Sequence, residues 1–229
     1  MLSNLPPVTK GLLIANAVAF LLQNIVGGAL DPFMLWPLGE SGTDPFGPSN
    51  AFLPWQLVSY GFLHGGLMHL LFNMLALVMF GAPLEYTWGN RRFATYFFTC
   101  VIGAGLCQLV VGTWTVMEGG PAIATLGASG GVFGLLLAYG MLFPNQRVML
   151  LIPPIPMKAR TLVIVYGAIE LLLGVTGTQS TVAHFAHLGG QPVKPSSNSM
   201  APYTITSVRA LIGIGGISSI SRWFGNSIP

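Results

Sequence analysis

The sequence predicts an all-α fold: a polytopic transmembrane helical bundle with five spans and a truncated sixth. Three observations carry this. Of 229 residues, 52% are hydrophobic and only 7% charged, whereas about a quarter of a soluble domain is charged. The mean hydropathy is +0.70. The apolar residues lie in long continuous runs, not in the short alternating segments of a membrane barrel. A helix crossing the hydrocarbon takes about 20 mostly apolar residues, so this length holds roughly five to seven. A water-soluble globular enzyme is excluded.

The first run, 11–26, follows Lys10 and lacks a convincing small-x-small cleavage site, so it reads as an uncleaved span. Segment 27–66 carries Pro32, Pro37, Pro45, Pro48 and Pro54 together with Trp36, Phe46, Phe52 and Trp55. That composition predicts a loop lying partly in the membrane interface. Further runs cover 67–84, 93–111, 127–143 and 161–175, and a sixth begins near Val182. Lys10, Arg91, Arg92, Arg147, Lys158, Arg160 and Lys194 fall on every second connection, and Asp31, Glu40, Asp44 and Glu118 on the others. The positive-inside rule then places the N-terminus in the cytoplasm and segments 27–66, 112–126 and 176–181 outside. The net charge of +3 is explained by this topology and calls for no nucleic acid. Cys100 and Cys107 are seven residues apart in one run. A helix separates them by about 10 Å, too far to bridge, so they are expected as free thiols in packing positions.

Polar side chains inside a span are costly and are functional candidates by default. His69 and Asn73, at i and i+4, share one helix face, with His64 just upstream. Their plain structural role would be hydrogen bonding between helices. Gly127-Ala128-Ser129-Gly130-Gly131 opens the fourth run. Glycines permit a sharp turn and close backbone approach, and a helix N-terminus favours a developing oxyanion, so Ser129 is poised as a nucleophile. Serine is also a common N-cap, and Gly130 with Gly134 forms a small-xxx-small packing pair. Ala186-His187-Leu188-Gly189-Gly190 suits a helix packed so closely that His187 reaches a neighbour. If that neighbour is Ser129, His187 is its general base. A zinc site of His64, His69, His184 and His187 is disfavoured, since the pairs lack a nearby cysteine or carboxylate at zinc spacing and i+5 histidines diverge on a helix. No cofactor and no metal are expected. Glu170 in the fifth run is read as hydrogen-bonded or near the outer water boundary, the alternative being a proton relay or a part of substrate entry. The methionines are scattered, which gives no support to a soft-metal channel.

The order and spacing His64-x4-His69-x3-Asn73, Gly127-x-Ser129-Gly130 and Ala186-His187-Leu188-Gly189-Gly190, with Leu84-Glu85 and Trp88-Gly89-Asn90-Arg91-Arg92-Phe93, resemble the rhomboid family of intramembrane serine proteases. The resemblance covers about residues 7–190. It implies a serine endopeptidase acting through a Ser129–His187 dyad between the fourth and sixth spans. It further implies an oxyanion site made by His69, Asn73 and the Ser129 amide, supported by Gly127, Gly130 and His64, with His184 structural. The implied substrates are transmembrane segments of other single-span or polytopic membrane proteins in the lipid bilayer. Trp55-Gln56 stands where many members have Trp-Arg, so a different local hydrogen-bond network is expected.

After Gly190 the chain departs from that pattern. It reads Gln191-Pro192-Val193-Lys194-Pro195, and eight serines fall in the last 39 residues against six in the first 190. The prolines end a helix there, and the apolar piece from Ala210 to Ile220 is 11 residues, too short to span. Residues 1–190 are therefore expected to form the membrane domain and 191–229 an unrelated tail, leaving His187 on a short stub. An alternative from another class follows: a catalytically impaired rhomboid-like protein that binds transmembrane helices without cleaving them. A third reading, a small proton-coupled transporter or channel, rests on the intramembrane histidines alone. Compactness and the lack of a transit-like leader favour a bacterial inner membrane. The oligomeric state is not encoded in any feature of the sequence.

Overall fold

The computed structural model describes residues 4–39, 51–149 and 155–176, with side chains through 169. All of these belong to one unit, Met1–Val193. Helix α1 (Pro7–Val26) starts with proline at N1, where the missing N–H costs nothing, and ends at Gly27 with φ 56°. Its first amides have no local side-chain cap. They are met instead by Glu85, whose carboxylate accepts from Val8 N–H at 2.8 Å, Thr9 N–H at 2.7 Å and Thr9 Oγ1 at 2.8 Å. Glu85 is buried, at 1% exposure. Glu85→Ala strands these donors in a buried site and is expected to cost about 3 kcal/mol. Thermal unfolding in detergent would show the loss, with Glu85→Gln intermediate because it keeps one acceptor oxygen.

The loop after α1 begins with a 3-10 segment, Gly27–Phe33, and leads to a four-residue helix α2 (Gln56–Ser59) and a 3-10 turn, Tyr60–Phe62. Gln56 is fully buried. Its Oε1 accepts from Trp36 N–H, and its Nε2 donates to the carbonyls of Pro32 and Ala51, each at 3.1 Å. Trp36 Nε1 donates to Asp31 C=O at 2.9 Å, Trp55 Nε1 to Pro32 C=O at 3.1 Å and Ser59 Oγ to Phe33 C=O at 2.8 Å. A neutral amide with both a donor and an acceptor thus ties the two halves of the loop together.

Leu67–Trp88 is one apolar segment of 22 residues built from α3 (Leu67–Ala76), a π-helical turn (Leu77–Gly81) and α4 (Ala82–Trp88). Pro83 cannot donate to the carbonyl of Met79, and its ring crowds that carbonyl. The widened turn sits where this conflict has to be absorbed. Helix α5 (Asn90–Met117) follows Gly89 at φ 78°, and α6 (Ser129–Leu142) returns against it. A Cβ on Gly131 would come within 2.7 Å of Phe97 and Val101, and one on Gly134 would collide with Cys100. Gly131 and Gly134 therefore form the small face against α5. Both cysteines are free.

Between α6 and α7 (Ala159–Thr176) lies an antiparallel hairpin of β1 (Arg147–Met149) and β2 (Pro156–Lys158). An all-helical reading missed it because three-residue strands are too short to register a period of two. Helices occupy all five expected runs, and three of them are established as long enough to span. Among the described residues three segments are long and apolar enough to cross a membrane: Pro7–Phe33, Leu67–Trp88 and Asn90–Met117. Helix α6 has 14 residues, about 21 Å of rise against a hydrocarbon layer of about 30 Å. The sixth run from Val182, with His184 and His187, and the tail 191–229 lie outside the described residues, as does the side chain of Glu170.

Candidate active site

The segment before α6 is pinned on both sides. Leu35 and Thr125 exchange backbone hydrogen bonds at 3.0 and 2.8 Å, and Gly127 N–H donates to Tyr60 C=O at 2.9 Å. Tyr60 is held in turn by its hydroxyl, which donates to Val101 C=O at 2.7 Å. Gly127 adopts φ +127°, a region that side-chain-bearing residues rarely enter. Two residues on, α6 begins at Ser129, and its ladder opens with Val132 N–H donating to Ala128 C=O at 3.0 Å. The amides of Ser129, Gly130 and Gly131 precede that first bond, forming the positive end of the helix. Ser129 is half-buried and Gly130 is buried.

His69 lies in the first turn of α3 and leans over Gly127. A Cβ built on Gly127 would stand 2.7 Å from His69 Cε1, 2.9 Å from His69 Nε2 and 3.7 Å from Ser129 Oγ. The imidazole edge therefore takes up the space that a side chain at 127 would need, with the serine hydroxyl close by. Gly65 N–H points to His69 Nδ1 at 3.4 Å. With Nδ1 as acceptor, a neutral ring carries its proton on Nε2, the atom beside Gly127 and Ser129. Asn73, one turn further on the same face, is buried and donates one Nδ2 hydrogen to His69 C=O at 2.9 Å. Its second amide hydrogen remains outside that bond.

His64 departs from the expected geometry. It precedes α3, because Gly65 and Gly66 separate it from the helix that begins at Leu67. Its ring meets that of His69 edge to face, with centroids 5.1 Å apart. The divergence expected for i+5 residues on one helix therefore does not apply. His64 is 1% exposed, its backbone N–H donates to Gln23 Oε1 at 3.1 Å, and neither ring nitrogen has a hydrogen-bond partner among the described residues. Burial first, and the neighbouring His69 ring second, hold its pKa down to about 4. The folded state thus refuses a proton that an unfolded chain accepts below about pH 6.5. Stability from this group is complete above pH 6.5 and declines as pH falls toward 4, by about 3 kcal/mol across the window. Thermal melts in detergent at pH 7.5 and pH 5 would show the drop, and His64→Phe would flatten it.

Ser129, His69 and Gly127 are brought together, Asn73 stands along the same helix face, and His64 supports the His69 ring. His187 lies outside the described residues. Sequence reasoning missed Gln23 and Tyr60. Gln23 was within reach, since Thr9, Asn16 and Gln23 recur every seven residues on α1 and Thr9 and Asn16 are fully buried. Nothing in the sequence signalled that the carbonyl of Tyr60 would hold Gly127.

These features define a polytopic helical membrane protein with a serine at the head of a short helix inside the bundle. The rhomboid domain model matches residues 52–193, more than half of the chain, and the chain belongs to the rhomboid family. It is an integral membrane protein. Similar proteins include RHOMBOID-like protein 4 of Arabidopsis thaliana, 32% identical over 139 residues, 59% of this chain and 31% of that protein. RHOMBOID-like protein 2 of the same plant is 31% identical over 191 residues, 73% of this chain and 53% of that protein. Rhomboid protease GlpG of Klebsiella pneumoniae is 30% identical over 105 residues, 46% of this chain and 36% of that protein. The chain thus spans between about a third and a half of the length of these curated relatives.

Proposed function

We infer that this protein is an intramembrane serine endopeptidase that cleaves transmembrane segments of other membrane proteins. Ser129 Oγ attacks the peptide carbonyl carbon while His187 takes the hydroxyl proton. His187 then gives that proton to the leaving amine, and water, deprotonated by the same imidazole, releases the acyl group from Ser129. The developing oxyanion accepts hydrogen bonds from His69 Nε2–H, Asn73 Nδ2–H and the Ser129 amide. Gly127, Gly130 and His64 shape the site, and no cofactor takes part. The observation that carries this reading is the close approach of the His69 ring to the Gly127 backbone, beside the Ser129 hydroxyl. The shortness of α6 supports it. A 14-residue helix is too short to cross the whole hydrocarbon layer, which fits a Ser129 that water reaches through a recess. The cytoplasmic N-terminus belongs to this reading on the charge pattern, and the bacterial inner membrane on the compactness of the chain.

One observation favours a second reading. Pro192 and Pro195 stop a helix within eight residues of His187, which would loosen its alignment with Ser129 and leave a protein that binds helices without cutting them. A fluorophosphonate probe on the detergent-solubilised chain separates the two. Labelling of Ser129 that disappears in His187→Ala supports the protease, and absence of labelling in the intact chain supports the binder.

A further inference from the structure

The β1–β2 hairpin places Arg147 directly opposite Lys158. Ala159 N–H donates to Gln146 C=O at 2.8 Å, so the next pair outward, Arg147 and Lys158, is the non-hydrogen-bonded kind whose side chains stand closest. Like charges in that position destabilise a ladder. Neither they nor the exposed Arg160 is joined to an acidic side chain among the described residues. The acid at this end of the bundle, Glu85, is buried and already taken by the start of α1. Along the strands the period of two turns Val148 inward, at 6% exposure, and leaves Met149 59% exposed on the face that carries Arg147. Ile155, just before β2, is 47% exposed. The hairpin thus shows solvent a cation pair at its base and apolar side chains toward its turn.

The placement of charge in the bundle says what would cover this face. Helix α5 packs antiparallel to α6, so Arg91 and Arg92 lie at the same end as the hairpin, and so does Lys10 beside the Glu85 contact. All six described lysines and arginines therefore sit at one end of the molecule, while Asp31 and Glu118 follow the opposite ends of α1 and α5. We propose that the β1–β2 hairpin is a docking site for anionic lipid headgroups, with Arg147, Lys158 and Arg160 holding the phosphate and Met149 entering the interface beneath it. An anionic surface removes the Arg147–Lys158 repulsion, and each cation near such a surface strengthens binding about fivefold.

The test titrates the full-length detergent-solubilised protein with phosphatidylglycerol or phosphatidylcholine and counts bound lipids by native mass spectrometry. Wild type is expected to prefer phosphatidylglycerol, and Arg147→Gln with Lys158→Gln to bind it about 25-fold more weakly, whereas Arg91→Gln with Arg92→Gln keeps the preference. Without anionic lipid the hairpin double variant is expected to melt no lower than wild type, because a repulsion has been removed. An equal loss from both pairs would mean diffuse attraction to the whole basic end and would overturn the assignment. So would a wild type that takes up both lipids alike, the result expected if a soluble partner covers the hairpin.

Discussion

Ser129→Ala is expected to abolish cleavage of a co-expressed single-span reporter, with a loss on the order of 10⁴-fold or more, because removing the nucleophile of a serine hydrolase leaves only binding and oxyanion stabilisation. The fold is expected to survive. Ser129 is half-buried, the residue capping α6 is Ala128 in an ordinary αR conformation, and the ladder begins from the Ala128 carbonyl, not from the serine side chain. Reporter cleavage read by gel, alongside a melting curve matching wild type, checks both halves. Cleavage that persists in Ser129→Ala would move the chemistry to another residue. A reporter that co-purifies uncleaved with the intact chain would favour the binder.

Gly127→Ala is expected to damage both activity and stability. The residue sits at φ +127°, and its new Cβ would lie 2.7 Å from His69 Cε1 and 2.9 Å from His69 Nε2, closer than carbon and nitrogen tolerate. Relief by changing φ would break the 2.9 Å bond from Gly127 N–H to Tyr60 C=O. Relief by swinging His69 would take Nε2 away from Ser129. Backbone strain of this kind costs about 1–3 kcal/mol, and loss of one oxyanion donor costs about 10² to 10³ in rate. His69→Ala in the same assay should give the rate loss with a smaller fall in melting temperature. A Gly127→Ala variant as active as wild type would show that the His69 ring is not needed where the structure puts it.

The legible parts of the fold were those that obey a local rule. Runs of apolar residues announced the helices, and Pro7 and Gly27 marked the ends of α1. The pair His69 and Asn73 was readable because i and i+4 residues share a helix face, and the structure places both on α3. His64 was misjudged for the complementary reason. Its spacing from His69 was measured along a helix that Gly65 and Gly66 do not continue. Gln56 was recognised only as a departure from the family's usual arginine, and its three loop bonds became visible once Trp36, Pro32 and Ala51 were brought to it. Glu85 was noted only as part of a motif, since its partners, Val8 and Thr9, lie more than 70 residues away.

Composition and apolar run length by themselves determined that this chain lives in lipid, because a segment of about 20 apolar residues with satisfied backbone hydrogen bonds has no better place to be. Spacing by itself determined which serine, histidines and asparagine were the candidates. Only the tertiary structure decided that the His69 ring lies against the backbone of Gly127, that the His64 ring meets it edge to face, and that two cations face each other across a hairpin. Each of these depends on where separate segments come to rest against one another within an ångström or two, and a periodic pattern along one segment carries no information about that.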